Sequence, residues 1–193
     1  MTDRRQQKIL SVLENRQFNL GVVTENVIDP HNIMACCRTC ETVGVQDIHV
    51  INTEIKSRYS WGLKSSSNTK KWLNIYKHKT AEEGVIELRK KYDKIYTTHL
   101  NAEAKSVYDV DFTQSMAIVF GNEKDGISEE MLALADQNFA IPQVGMSGSL
   151  NISVACAVTL YEAYRQRRLA GLYPNQNKTE RYHSLLKEWM ERK

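Results

Sequence analysis

Five consecutive apolar residues, Met116-Ala117-Ile118-Val119-Phe120, run directly into Gly121. A strand with one wet face alternates apolar and polar side chains, so an unbroken run of this length fits a strand covered on both faces, as in the middle of a parallel sheet. Parallel strands need long crossover connections, usually helices, and the flanking sequence supplies them. Leu20–Thr24, Ile48–Ile51, Leu73–Tyr76, Lys94–Thr98 and Phe139–Pro142 read as further strands. Between them, Pro30 after Asp29 opens a helix that Gly44 closes, Ala81–Lys91 forms another, Ser128-Glu129-Glu130 begins a third with acidic residues at its positive end, and Asn151–Leu169 makes a long fourth. This repeated strand–helix order predicts an α/β fold with a mostly parallel sheet.

The two ends do not continue the alternation. Arg4–Arg16 places Ile9, Val12 and Leu13 at helical spacing and leaves Arg4, Arg5, Lys8 and Arg16 outside the apolar stripe, while Tyr182, Leu185, Leu186 and Trp189 recur at i, i+3, i+4 and i+7. Both read as amphipathic helices docked on a core. The expected organisation is a basic N-terminal helical extension over 1–18, one α/β domain over 19–171 and an amphipathic C-terminal extension over 172–193, a size suited to a single core. Residues 52–71 lack apolar periodicity and carry Lys56, Arg58, Lys64, Lys70 and Lys71, the pattern of a long basic loop. The net charge of +3 is too mild to identify a partner by itself. Met1–Lys8 is polar and no apolar run approaches the ~20 residues of a membrane span, so a cytoplasmic protein without a membrane partner is expected.

Four cysteines, Cys36, Cys37, Cys40 and Cys156, are too few for a disulfide scaffold. The Cys37-x-x-Cys40 pair lies inside a predicted helix rather than at a strand-to-helix turn, and a zinc site would need a second ligand pair that Cys156 cannot make alone. These residues are expected to fill the core, and no metal is expected. Neither G-x-G-x-x-G nor G-x-x-x-x-G-K-[ST] occurs, so no phosphate-cradling nucleotide loop is indicated.

Three clusters sit at expected junctions after strands, where ligands bind in open α/β sheets: Pro30-His31-Asn32-Ile33-Met34-Ala35-Cys36-Cys37-Arg38-Thr39, the stretch from Ile118 through Gly121-Asn122-Glu123-Lys124-Asp125-Gly126 to Ser128, and the stretch from Ile141 through Gly145-Met146-Ser147-Gly148-Ser149-Leu150-Asn151 to Ala155. In this order they resemble the three motifs of the SPOUT superfamily of RNA methyltransferases, and from about Arg4 onward the chain is similar to the tRNA guanosine-18 2′-O-methyltransferase (TrmH) family. The resemblance implies a SPOUT-type α/β knot, with a deep C-terminal trefoil that is a rare exception to unthreaded topology. It also implies a homodimer, tRNA as substrate and S-adenosylmethionine held on the knot loops. By the family pattern, Thr98, Leu100, Gly121, Asn122, Gly126, Ile141 and Leu150 surround this donor; the glycines here and at Gly145 and Gly148 would equally serve as turns.

A ribose 2′-hydroxyl is a poor nucleophile, so it must be aligned with the donor methyl and helped to lose its proton. The family pattern assigns this to Arg38, with Asn32, Glu123, Ser149 and Asn151 completing the site. A guanidinium is not deprotonated in proteins, which favours positioning and charge stabilisation over literal base action. Local alternatives stand beside each role: Arg38 could pair with Glu41 at i, i+3, Asn32, Ser149 or Asn151 could cap helices, and Glu123 could pair with Lys124. Lys8 and Arg16 of the N-terminal segment align with basic residues of the family and, with Arg5, are expected to meet RNA; Arg165 and Arg167 of the long helix match arginines expected at RNA or dimer contacts, and all of these could instead form solvated faces. Gln143 departs from a common methionine, and Cys36-Cys37 from larger aliphatic residues. The target could instead be ribosomal RNA or the tRNA anticodon loop, and a non-catalytic RNA-binding module is the alternative of a different class; labelled-methyl incorporation into tRNA separates them.

Overall fold

A computed structural model describes residues 1–52, 69–101, 104–175 and 178–192. Seven strands, β1 (Gln17–Glu25), β2 (Val45–Ile51), β3 (Asn74–His78), β4 (Lys94–Thr98), β5 (Lys105–Ser106), β6 (Met116–Phe120) and β7 (Gln137–Ala140), form one sheet in the order β3-β2-β1-β6-β4-β7-β5. Every pairing in it is parallel. The apolar run lies where expected: β6 is buried throughout, between β1 and β4.

Alternation along β1 divides the core into two layers. Leu20 and Val22 face the same side as Ile48, Ile118 and Phe120, packing with Cys36, Cys40, Cys156 and Leu160 of α2 (Pro30–Val43) and α5 (Ile152–Leu169). Val23 faces the other way with Ala117 and Val119, against Val85, Leu88 and Met131 of α3 (Ala81–Arg89) and α4 (Glu129–Leu134). The four cysteines are buried free thiols filling the first layer. Burial pushes the Cys37 thiol up to about 12, so it carries no thiolate at neutral pH and lacks the reactivity of a redox cysteine.

Helix α2 begins as its sequence requires. Asp29 caps it by accepting from the His31 N–H at 2.8 Å, and Pro30 occupies the first turn. Its stop is Gly44, at φ +85°, where an added Cβ would collide with the Asn15 carbonyl oxygen, so glycine is required for both dihedral and space. The terminal helices α1 (Asp3–Glu14) and α6 (Glu180–Glu191) bury Ile9 and Leu13 against Tyr182, Leu185 and Trp189, with Phe18 and Trp72 packed alongside. Arg181 of α6 is further anchored on Asp47, a β2 carboxylate only 1% exposed.

Several expectations need correction. The final strand is Gln137–Ala140 rather than Phe139–Pro142, and β5 was not foreseen. Most of the predicted basic loop, including Lys56, Arg58 and Lys64, lies outside the described residues. Arg16 and Arg167 are not surface groups available to RNA; both are 0% exposed. Arg16 follows α1, donates to the Val45 carbonyl at 3.3 Å and to Glu41 Oε1 at 3.2 Å, and lies 5.2 Å from the centre of the Trp189 ring. Arg167 donates to the carbonyls of Phe112 and Gln114 and to the side chains of Gln17 and Asn19. Among the described residues no helix is long and apolar enough to cross a membrane.

Candidate active site

The C-terminal ends of β4, β6 and β7 surround a cavity of about 320 Å³, near the lower end of the roughly 300–1,000 Å³ common for small-molecule sites. Thr98, Leu100, Gly121, Asn122, Gly126, Ile141 and Leu150 all line it. Three strands that are adjacent in the sheet but distant in sequence therefore bring the donor candidates to one place. Leu100, Phe120, Phe139, Ile141 and Leu150 give it apolar walls, while Glu123 and Asp125 add carboxylates beside Lys124. This combination suits a ligand with a flat apolar part and a cationic part.

The Gly121–Gly126 turn is a closed hoop. Asn122 and Gly126 exchange backbone hydrogen bonds of 3.1 and 3.2 Å, and the Asn122 side chain accepts from the N–H groups of Lys124 and Asp125 at 2.8 and 2.6 Å. A Cβ at position 121 would collide with the Gly126 carbonyl, and Gly126 itself sits at φ +74°. Both glycines are needed to close the hoop, beyond making an ordinary turn.

At the lip of the cavity, one polar chain joins the three motif segments. Asn151 caps α5, its Oδ1 accepting from the Ser153 N–H at 2.8 Å, and its Nδ2 donates to Asn32 Oδ1 at 3.2 Å. Asn32 Nδ2 in turn donates to Glu123 Oε1. Asp29 takes the cap of α2, which leaves the Asn32 side chain to make this crossing. Among the described residues Glu123 has no ion pair with Lys124, so its local alternative is absent. Ser149 also lines the cavity.

Arg38 is not in the cavity wall. It is exposed on α2, six residues after Asn32 and so about 9 Å further along the axis. Its proposed local partner is occupied elsewhere, because Glu41 pairs with Arg16. Among the described residues no ion pair restrains the Arg38 guanidinium. Arg165 is exposed on α5 and doubly bonded to Glu162, at 2.9 and 2.7 Å. Lys8 is exposed and Arg5 half-buried on α1, which packs near Phe18 and Trp72 at the opposite end of the sheet from the cavity.

His99 and Asp125 line the cavity without having been singled out in the sequence, whereas Gln143, noted there as a departure near the donor contacts, lies in the wall. His99 and Asp125 were detectable as neighbours of motif positions at strand ends. The contact holding His99 was not: Asn138 bonds both its backbone N–H and its carbonyl, each at 2.8 Å.

Residues 19–161 match the model of the SpoU rRNA Methylase family. The chain belongs to the SpoU family. Over 191 residues it is 41% identical to a tRNA (guanosine(18)-2′-O)-methyltransferase of Thermus thermophilus, covering 98% of this chain and 97% of that one. Among solved structures, the SpoU fold here is similar to the A. aeolicus TrmH/SpoU tRNA modifying enzyme, with a TM-score of 0.87 and 34% identity over 97% of this chain and 95% of that one. It is also similar to the SpoU methyltransferase AviRb from Streptomyces viridochromogenes in complex with the cofactor AdoMet, with a TM-score of 0.70 and 26% identity over 79% of this chain and 59% of that one.

Proposed function

We propose that this SpoU-family chain transfers a methyl group from S-adenosylmethionine to the ribose 2′-hydroxyl of guanosine 18 in tRNA. The observation that carries the reading is the Asn151–Asn32–Glu123 chain, which couples the three motif segments at the lip of the cavity. The name of the near-full-length Thermus relative supports the choice of target. When bound, S-adenosylmethionine supplies a methyl group activated by its sulfonium. The residues present fit it: the glycine hoop lets backbone approach the ligand closely, Leu100, Ile141 and Leu150 offer apolar contact, and Glu123 and Asp125 favour positive charge nearby. Asn32 and Asn151 hold Glu123 in place, and Arg38 grips the RNA phosphate while orienting the hydroxyl, whose proton passes to that phosphate or to water. Incubation with labelled donor and tRNA, followed by nuclease digestion and mass spectrometry, is expected to give 2′-O-methylguanosine at position 18. A mark confined to the anticodon loop or ribosomal RNA would reject the target, and donor binding without methylation of any RNA would favour the non-catalytic module.

The working form in this reading is a homodimer. Val154 and Tyr161 on the outer side of α5 are 46% and 51% exposed, and Val144 and Met146 beside the cavity are fully exposed, an apolar surface suited to a second copy. Light scattering at assay concentration should return twice the chain mass; an active monomer would exclude the dimer.

Of the N-terminal residues matched to RNA contacts, Arg5 and Lys8 stay accessible to tRNA phosphates once Arg16 is recognised as buried, although Arg5 also donates to the Arg192 carbonyl at 2.6 Å. Replacing both with alanine is expected to weaken tRNA binding roughly tenfold and to reduce the slope of log affinity against log salt by about 1–2, through lost counterion release. Donor affinity should stay constant. An unchanged salt slope would remove α1 from the RNA interface.

A further inference from the structure

Glu25, at the C-terminal end of β1, is 0% exposed and has no ion pair among the described residues. A carboxylate in that position is costly unless its oxygens are well bonded. Both oxygens are committed to Ser128: Oε2 accepts from its backbone N–H at 3.0 Å and Oε1 from its hydroxyl at 2.6 Å. The Ser128 hydroxyl also accepts from the Met131 N–H at 3.1 Å, capping α4. Ser128 lies two residues beyond the glycine hoop.

The preceding residue, Thr24, pairs with Phe120 of β6, which leads into that hoop. The following residue, Asn26, adopts φ +52° and turns the chain toward α2, whose Asn32 bonds Glu123. Residues 24–32 thus grip residues 120–128 at the start, middle and end: Thr24 with Phe120, Asn32 with Glu123, and Glu25 with Ser128. We propose that Glu25 is a positioning residue for methyl transfer, acting through Ser128 to hold the 121–127 loop in its donor-binding shape. Glu25 is not among the residues that line the cavity and is not itself a catalytic residue.

The test compares Glu25→Gln, Ser128→Ala, their double variant and Ser128→Thr. Calorimetry without RNA measures S-adenosylmethionine affinity, hydrogen exchange on the ligand-free protein follows amides 122–127, and thermal melting monitors the fold. Glu25→Gln leaves only one acceptor facing two donors, and Ser128→Ala removes the shared hydroxyl. Each is expected to weaken donor binding about tenfold and speed exchange in 122–127 while β1 and β6 stay protected. The double variant should be no worse than the weaker single, because both break one clamp. Ser128→Thr, which keeps the hydroxyl, should restore near-normal affinity and exchange. Lower melting temperatures with unchanged donor affinity and loop exchange would make Glu25 a purely structural residue and overturn the proposal; if Glu25→Gln does not fold, the Ser128→Ala and Ser128→Thr pair decides by the same measurements. The inference rests on the cavity holding S-adenosylmethionine: failure of the unaltered protein to bind it would sink that reading, whereas normal binding in every variant would sink this one.

Discussion

Arg38→Ala is expected to lower methyl transfer by about 10³-fold at saturating donor and tRNA, the scale of removing a positioned charge from a transition state. Among the described residues no ion pair restrains this side chain, which is exposed, and its neighbour Glu41 is held by Arg16. For the same reason the substitution should change stability by no more than about 0.5 kcal/mol and leave donor binding intact. Arg38→Lys should also fail, because an ammonium has no planar fork with which to hold a phosphate and align a hydroxyl together. Single-turnover assays paired with melting curves check this. Near-normal turnover in either variant would take Arg38 out of the chemistry, and a large drop in melting temperature would show that it supports the fold.

Arg167→Ala is expected to have the largest effect on stability, a loss of about 3–5 kcal/mol, because it takes the donor from several buried acceptors at once and opens a void. Five hydrogen bonds leave this guanidinium, reaching Gln17 and Asn19 near the start of β1 and the carbonyls of Phe112 and Gln114 before β6. Burial lowers its pKa to about 10, so it remains charged at neutral pH while every acceptor is neutral. Alanine would leave those acceptors unsatisfied around a void, and a chain of this size should melt roughly 10 °C lower. Chemical denaturation measures the loss directly. A variant with unchanged stability and weakened tRNA affinity would instead return Arg167 to the RNA interface.

Burial explains why Arg16 and Arg167 could not be separated from Arg38 in the sequence. All three sit in or beside helical segments with polar neighbours, and local periodicity cannot report acceptors such as Gln17, which lies 150 residues from Arg167. The strands were legible because their cause is local: an uninterrupted apolar run can be satisfied only between two covered faces. The donor candidates were legible for a related reason, since strand ends followed by glycine-rich turns converge wherever parallel strands are neighbours. The Glu25–Ser128 clamp was not. Its two residues are 103 positions apart, and a lone glutamate ending a strand looks like an ordinary surface charge.

The mutual packing of α1 and α6 has a consequence for the order in which the chain can mature. A ribosome delivers Ile9 and Leu13 early, but much of their cover, including Leu185 and Trp189, emerges only after the whole sheet has been made. The hydrogen bond from Arg5 to the Arg192 carbonyl spans 187 residues, and contacts of such sequence separation form late because closure of the intervening chain must come first. On a translating ribosome, the apolar stripe of the N-terminal segment is therefore made well before the α6 side chains that cover it.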